Sequence, residues 1–514
     1  MALLPVLQLL AGCQPPHPAG RLVVASKSAL NSVDPVDVTG SAGTQLLSAL
    51  GDPLYAADAH GALQPRLAAA LPRWSADGRT ARIPLRRDVR FHDGTPFDAA
   101  AMVFNLERFR ALGKLSYLID DRITAIRASG SHELELRLQR PYSALAALLS
   151  SINLTPVSPT AYRQYGQRSL ADRFVGTGPY RLSHFSPQQQ TLLPFEHYWG
   201  EAPRNRGIHL VSLSNSTALY GALVSGEVDV LISSGLDSDQ QRALALRARQ
   251  GRLVEGTGPT VDIGYLTLLS DRPPFDRVDL RRAVALSLNR DLVMERVSYG
   301  IRPPLRSLVP PPLEGSDPPA WPRYNPAQAR ALYRQAGYCR GRKLTLPLTY
   351  RSNVPVDRMF ALTWQSQLNR DLSDCVQLEI TGVESTTAYS QVDQGAFPMV
   401  LFNWIGDYPD PETYLAPLLS CSKAQGERCL AGNSAASGSF WTSPGLEPLL
   451  QASERLSGSE RRAALQRIQQ RTAAGAAYIP VWQVSPRAWA QPQLEPPRFD
   501  GAGRVVLQAL RSRS

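Results

Sequence analysis

Pro398-Met399-Val400-Leu401-Phe402-Asn403-Trp404-Ile405-Gly406-Asp407-Tyr408-Pro409-Asp410-Pro411 changes character halfway along. Its opening residues, through Phe402, are an apolar run with the length and composition of a strand. The stretch from Gly406 to Pro411 carries a glycine, two acids and two prolines, the residues that end a strand and turn the chain. In open α/β sheets, ligands bind just beyond strand ends of this kind, so recognition or chemistry is expected here. Working upstream, Val376 to Ile380 reads as a strand, Val356 to Asn369 has helical spacing, and Lys343 to Tyr350 alternates as a strand. A short helix starts at Asn325-Pro326 and runs through Leu332. Helix and strand in alternation build an α/β fold. The nine prolines in Tyr299 to Pro326 predict an irregular surface connection rather than an element.

The amino-terminal half divides in two. Arg21 to Ser26 is a short apolar run that predicts the first strand of a buried sheet. Ala218 to Leu223 has helical spacing, Gly226 stops it, and Asp229 to Ile232 reads as a strand, so this part too predicts parallel pairing. From Thr44 to about Asp172 the pattern differs. Ala81 to Leu85 and Glu133 to Leu138 alternate, with Leu134, Leu136 and Leu138 on one face and Glu133, Glu135 and Arg137 on the other. Such alternation marks an antiparallel sheet with one wet face. Between these strands Asp93-Gly94 makes a turn and Asp98 is placed to cap a helix carrying Met102, Leu106 and Phe109. His92 beside Asp93 has no visible third partner, so the pair reads as structural rather than catalytic. Gly176-Thr177-Gly178-Pro179-Tyr180 lacks the third glycine of a dinucleotide-binding loop and reads as a turn before a strand from Tyr180 to His184.

The formal charge of +11 comes almost wholly from scattered arginines, with Lys27, Lys114, Lys343 and Lys423 as the lysines. No block of like charge marks a nucleic-acid surface, and no nucleic-acid partner is expected. Near the start, Leu9-Leu10-Ala11-Gly12-Cys13 follows an apolar stretch and precedes a proline-rich polar segment, which looks like a lipobox, although residues 1 to 12 hold no Lys or Arg. Cys13 is then the expected lipid-attachment residue, with 1–20 as signal and tether. No stretch is long and apolar enough to span a bilayer. Of the three pairings open to Cys339, Cys375, Cys421 and Cys429, those joining near neighbours are favoured: Cys421 with Cys429 and Cys339 with Cys375, as suits an oxidising compartment. There is no CxxC and no nearby histidine, so neither a metal site nor a cofactor is expected.

Several segments together resemble family 5 of the bacterial extracellular solute-binding proteins, the group with dipeptide, oligopeptide and nickel-complex receptors. They are Leu63 to Ala68, Phe91 to Phe97, Gly176 to Tyr180, Gly226 to Val230, Leu280 to Val284, Asn325 to Leu332 and Trp404 to Pro411. They follow the family's order across most of the chain. In the helix after Phe97, Ala100 and Ala101 replace the family's usual acidic residue. The resemblance implies an α/β, two-lobed periplasmic binding protein of type II, similar to cluster C, with an extra inserted antiparallel α+β domain. Lobe I is expected from 21–43, 173–258 and 482–514, the insert from 44–172, and lobe II from 259–481.

It also implies a non-enzymatic, monomeric receptor of an ABC importer, lipid-anchored in the periplasm or at the outer face of the cytoplasmic membrane. A peptide or peptide-like solute would bind between the lobes and pass to the permease subunits. In peptide-binding relatives an aspartate in a Trp-x-x-Asp segment takes the ligand's α-ammonium, and Trp404 and Asp407 stand at those positions. Trp404 would supply an apolar wall or a cation-π face, and the backbone around Gly406 would bind the peptide main chain. A second reading has Asp407 capping the turn and Trp404 in the core. The same fold would accommodate a nickel chelate, haem or a sugar. Asp407 and Asp410 as the paired carboxylates of a hydrolase form the remaining alternative, with no second catalytic strand to set their spacing.

Overall fold

The computed structural model describes residues 20–513 apart from 28, 59, 60, 167, 233 and 234, so the segment 1–19 with Cys13 lies outside the described residues. Strand β1 (Leu22–Ser26) occupies the middle of a seven-stranded sheet. It pairs in parallel with Ile208–Ser212 on one side and Val230–Ile232 on the other. The remaining partners are antiparallel: Gln189–Pro194 and Tyr180–Phe185 at one edge, Arg487–Ala490 and Val254–Thr257 at the other. The apolar run is needed because β1 is covered on both faces, with Val24 in one core and Val23 and Ala25 in another.

Residues 44–172 carry their own four-stranded antiparallel sheet, in the order Arg73–Trp74, Thr80–Pro84, Glu133–Leu138, Ile123–Gly130. Leu134, Leu136 and Leu138 all point inward, as the alternation requires. Helix α1 (Ala99–Leu112) packs on that face with Met102, Leu106 and Phe109, and the Asp98 carboxylate accepts the Ala101 N–H to start it. A buried ion pair fixes this unit to the chain leading out of β1. Arg108 on α1 lies 2.8 Å from Asp34, which also accepts the Leu170 N–H at 2.8 Å.

A second large sheet has five strands: β2 (Asp262–Leu268), β3 (Leu344–Arg351), β4 (Val376–Val383), β5 (Met399–Ile405) and β6 (Tyr478–Val484). Their order is β4-β3-β5-β2-β6, with β3 parallel to β4 and β5, and β2 antiparallel to β5 and β6. Along β5, Met399 and Leu401 enter one core while Val400 and Phe402 enter the other, which is why the run is apolar without a break. Helix α2 (Glu412–Leu419) follows the turn after β5, and α3 (Gly458–Gly475) packs nearby. Cys339 is bonded to Cys375 just ahead of β4, and Cys421 to Cys429 across a small hairpin.

Two short segments cross between the large sheets, residues 258–261 and 485–486. They run side by side, the Gly258 N–H donating to Pro486 O at 2.8 Å and Thr260 Oγ1 lying 3.1 Å from Ser485 Oγ. Replacing Arg108 with leucine removes one member of a buried pair and leaves the Asp34 carboxylate uncompensated. The expected cost is roughly 3–5 kcal/mol, read as a lowered midpoint in denaturant unfolding.

Candidate functional site

A cavity of about 460 Å³ opens where the ends of the two large sheets face each other, a size within the roughly 300–1,000 Å³ of small-molecule sites. The first sheet contributes Ser26 and Leu210, the 44–172 unit Leu115 and Asn153, and the crossings Thr260 and Ser485. The second sheet contributes Asp262, Ile405, Gly406 and Asp407 at adjacent strand ends. Four charged side chains reach the wall: Asp262, Arg302, Asp407 and Arg504. Arg504 is held by Asp500 at 2.7 Å.

The turn after β5 is built so that Asp407 faces the cavity. A Cβ on Gly406 would lie 2.7 Å from both Thr413 and Tyr414, so glycine alone lets the strand pass this close to α2. The Asp407 N–H then donates to Thr413 Oγ1 at 2.9 Å. Trp404 takes the opposite face of the strand, packs against the core beneath α2 and donates its indole N–H to Thr413 O at 2.7 Å. It does not line the cavity, so of its two sequence readings the structure places it as a brace for α2. Gly406 and Asp407 do line it. The half-buried Asp407 carboxylate accepts the Tyr117 hydroxyl at 3.0 Å, and burial raises its pKa against the opposing pull of that hydrogen bond and of Arg122. Among the described residues no cation lies within ion-pair distance of it.

Asp410 goes elsewhere. It is buried, paired with Arg461 at 2.7 Å, and accepts the Glu412 N–H at 2.9 Å at the start of α2. Two free carboxylates facing one substrate, as a hydrolase needs, are not what Asp407 and Asp410 form.

Sequence reading missed the joint beside this turn. Tyr142 and Tyr408 lie 2.9 Å apart through their hydroxyls, and both bond to the buried Glu412 carboxylate. Arg122 reaches the other Glu412 oxygen at 2.6 Å and stacks over Tyr142. Arg140 pairs with Glu454 at 2.9 Å nearby. All of these bonds except that of Tyr408 to Glu412 join the 44–172 unit to the second large sheet's side of the cavity. Periodicity carries no signal for such long-range polar contacts. Asp262, an acid heading an otherwise apolar strand, was a signal that could have been found.

His92 and Asp93 are confirmed in position as parts of a turn. The Gly176 N–H donates to His92 Nδ1 at 3.2 Å, leaving Nε2–H to donate to Gly178 O at 3.1 Å, which defines the neutral tautomer. Asp93 accepts the Ser158 hydroxyl at 2.6 Å. His92 staples the 44–172 unit to the Gly176-Thr177-Gly178 turn, and Asp93 ties the same loop to Ser158 within the unit.

Two sheet-built lobes, two adjacent crossings and a cavity between them define the fold of the two-lobed binding proteins. The profile of bacterial extracellular solute-binding proteins, family 5, matches residues 62–426. The chain belongs to that family. It is 25% identical over 349 residues to the probable D,D-dipeptide-binding periplasmic protein DdpA of Escherichia coli K12, covering 66% of each chain. It is 27% identical over 343 residues to the glutathione-binding protein GsiB of Escherichia coli O1:K1, covering 66% of this chain and 65% of that one. The match thus spans just under two thirds of these relatives. Among solved structures, NikA from Brucella suis in complex with Fe(III)-EDTA superposes with a TM-score of 0.83 at 19% identity, covering 96% of this chain and all of that one. A dipeptide binding protein from Pseudoalteromonas sp. SM9913 in complex with Met-Leu gives 0.77 at 22% identity, covering 96% of this chain and 100% of that one.

Burial lowers the His92 pKa from its ordinary 6.5 to about 4. The unfolded chain therefore binds a proton between these values that the folded chain refuses. The stability involved is complete above pH 6.5 and is lost as pH falls toward 4, at up to about 1.4 kcal/mol per pH unit. Urea unfolding at pH 7 and pH 5 should show a smaller drop for His92→Gln than for the parent.

Proposed function

We propose that this chain is the substrate-binding component of an ABC importer, capturing a peptide or peptide-like solute in the cavity and delivering it to the permease subunits. The lobes are 21–43 with 173–258 and 482–514, and 259–481, with 44–172 inserted in the first. The observation that carries the reading is the Asp407 carboxylate, desolvated on the cavity wall with a tyrosine hydroxyl and, among the described residues, no cation within ion-pair distance. A primary ammonium supplies the missing charge and donates hydrogen bonds in the same step. Gly406 lines the cavity at the strand end, where its backbone would meet the peptide main chain. Trp404 serves at one remove, by fixing α2 under the turn.

The motion that admits the ligand is a hinge at 258–261 and 485–486, and the solute favours closure by its greater affinity for the closed form. The protein acts by binding, not catalysis, as a monomer without nucleic-acid partners. It is anchored through a lipid on Cys13 in the periplasm or on the outer face of the cytoplasmic membrane. No helix among the described residues is long and apolar enough to cross a membrane.

Two measurements test this. A thermal-shift screen should show stabilisation by di- to pentapeptides, whereas stabilisation only by a nickel chelate, haem or a sugar overturns the peptide assignment. In calorimetric titration Asp407→Asn should lose roughly 3–5 kcal/mol of peptide binding, the cost of stranding a buried ammonium, while its unfolding midpoint holds. Undiminished affinity would remove Asp407 from the site.

A further inference from the structure

Arginines that are scattered along the sequence gather at one end of the seven-stranded sheet. The strands Leu22–Ser26, Ile208–Ser212 and Val230–Ile232 run in parallel, so all three finish at the cavity with Ser26, Ser212 and Ile232, and all three start at the far end. Val254–Thr257 starts at that far end too, because it pairs antiparallel with Arg487–Ala490, which in turn pairs antiparallel with Val230–Ile232. Arg21 and Arg206 stand just ahead of two of these starts, and Arg252 just ahead of a third. Arg249 closes the helix Ser238–Arg249 and shares a shallow recess with Arg513. Arg513 is held there by its N–H, which donates to Gln493 O at 2.7 Å.

Arg206, Arg249, Arg252 and Arg513 are exposed, Arg21 is half-buried, and none of the five forms an ion pair among the described residues. The acids nearby do not cancel them. Glu201 and Glu495 are taken by Arg204 and Arg511, and Asp229 is turned inward to accept the Val23 N–H at 2.8 Å. That leaves Glu196 and Glu227 exposed at this end. From Arg206 to Arg252 there are four strand intervals of about 4.8 Å, roughly 19 Å in all, so the charges share one broad face. A broad basic face suits an extended anionic surface, not a small anion.

The path of the chain selects the surface. A Cβ on Gly20 would lie 3.7 Å from the Arg206 side chain, so the segment that carries Cys13 leaves the lobe through this face. Six residues, 14–19, separate Gly20 from Cys13, and at about 3.6 Å per residue they reach at most roughly 25 Å. Resting on the lipid-anchor reading above, we propose that this end of lobe I is a docking face for the anionic phospholipid headgroups of the membrane that holds the anchor. Arginines beside such a surface gain from its negative potential, and the gain fades beyond a Debye length of about 8 Å at physiological salt. The tether keeps the face near the lipid, and the arginines orient it. Strands of five residues then hold the cavity roughly 17 Å further out, open to arriving solute. The contact is shallow and salt-sensitive, so the receptor leaves it readily to meet the permease.

The test floats the full chain with Cys13→Ser, which carries no lipid, on vesicles of phosphatidylcholine alone or with about one third phosphatidylglycerol. Residues 1–12 are common to both arms, so the difference between vesicles reads the arginines. Binding should require phosphatidylglycerol and fall steeply as salt is raised. Arg206→Gln, Arg249→Gln and Arg252→Gln, all at exposed positions, should each weaken it roughly 5-fold, and together on the order of 100-fold. Equal binding to both vesicles, full binding by the triple variant, or binding to duplex DNA with none to phosphatidylglycerol overturns the proposal. The intact mass of the unaltered chain from a bacterial host tests the anchor separately. An acylated Cys13 without a phosphatidylglycerol preference removes the docking face and leaves the anchor standing, whereas an unacylated Cys13 removes both. The comparison of the two vesicles with the Cys13→Ser chain decides the matter even if the triple variant fails to fold.

Discussion

The chain passes between its two large sheets twice, at 258–261 and 485–486, and the rest of the architecture depends on how short those passages are. Each must leave one sheet and enter the other within a few residues. The sheets are thereby held end to end, with a gap between their edges that side chains line but do not fill. The passages also lie against each other, so that bending one bends both. In the proposed hinge motion the two cores would swing about this waist, and the cavity lies beside it.

The 44–172 unit limits that motion from the side. It is fastened to the first sheet's lobe by Asp34 with Arg108 and by Asp52, which collects Arg66 at 2.7 Å and the Trp199 indole at 3.0 Å. Across the gap it meets the second lobe through Tyr117, Arg122, Arg140 and Tyr142. The charges at this joint are largely buried and mutually satisfied. Arg122 neutralises Glu412, Arg461 neutralises Asp410, and the tyrosine hydroxyls fill the remaining acceptor positions. Satisfied networks of this sort hold one arrangement well and any other poorly.

Much of this was written locally. The apolar run of β5, the alternation in Glu133 to Leu138, the Asp98 cap and the Gly226 stop each depend on near neighbours, so sequence revealed them. The turn that carries Asp407 was legible for the same reason. Trp404 illustrates the limit. Side chains alternate along β5, and which face receives α2 is decided by packing, not by the residues of the strand. Arg302 was hidden more deeply, because the proline-rich stretch has no period and is aligned by Trp482 and Gln483, far along the chain. Strand order, the Tyr142, Tyr408 and Glu412 cluster and the Asp410 ion pair are likewise products of distant segments meeting.

The contacts between the 44–172 unit and α2 draw on side chains of the protein alone. In the proposed hinge motion, swinging the second lobe away from the 44–172 unit would part Arg122 and Tyr142 from Glu412, whatever solute is present. Under that proposal part of the cost of opening is common to all occupants and is set by the protein rather than by the solute. What distinguishes one solute from another is then the contacts it adds on the cavity wall.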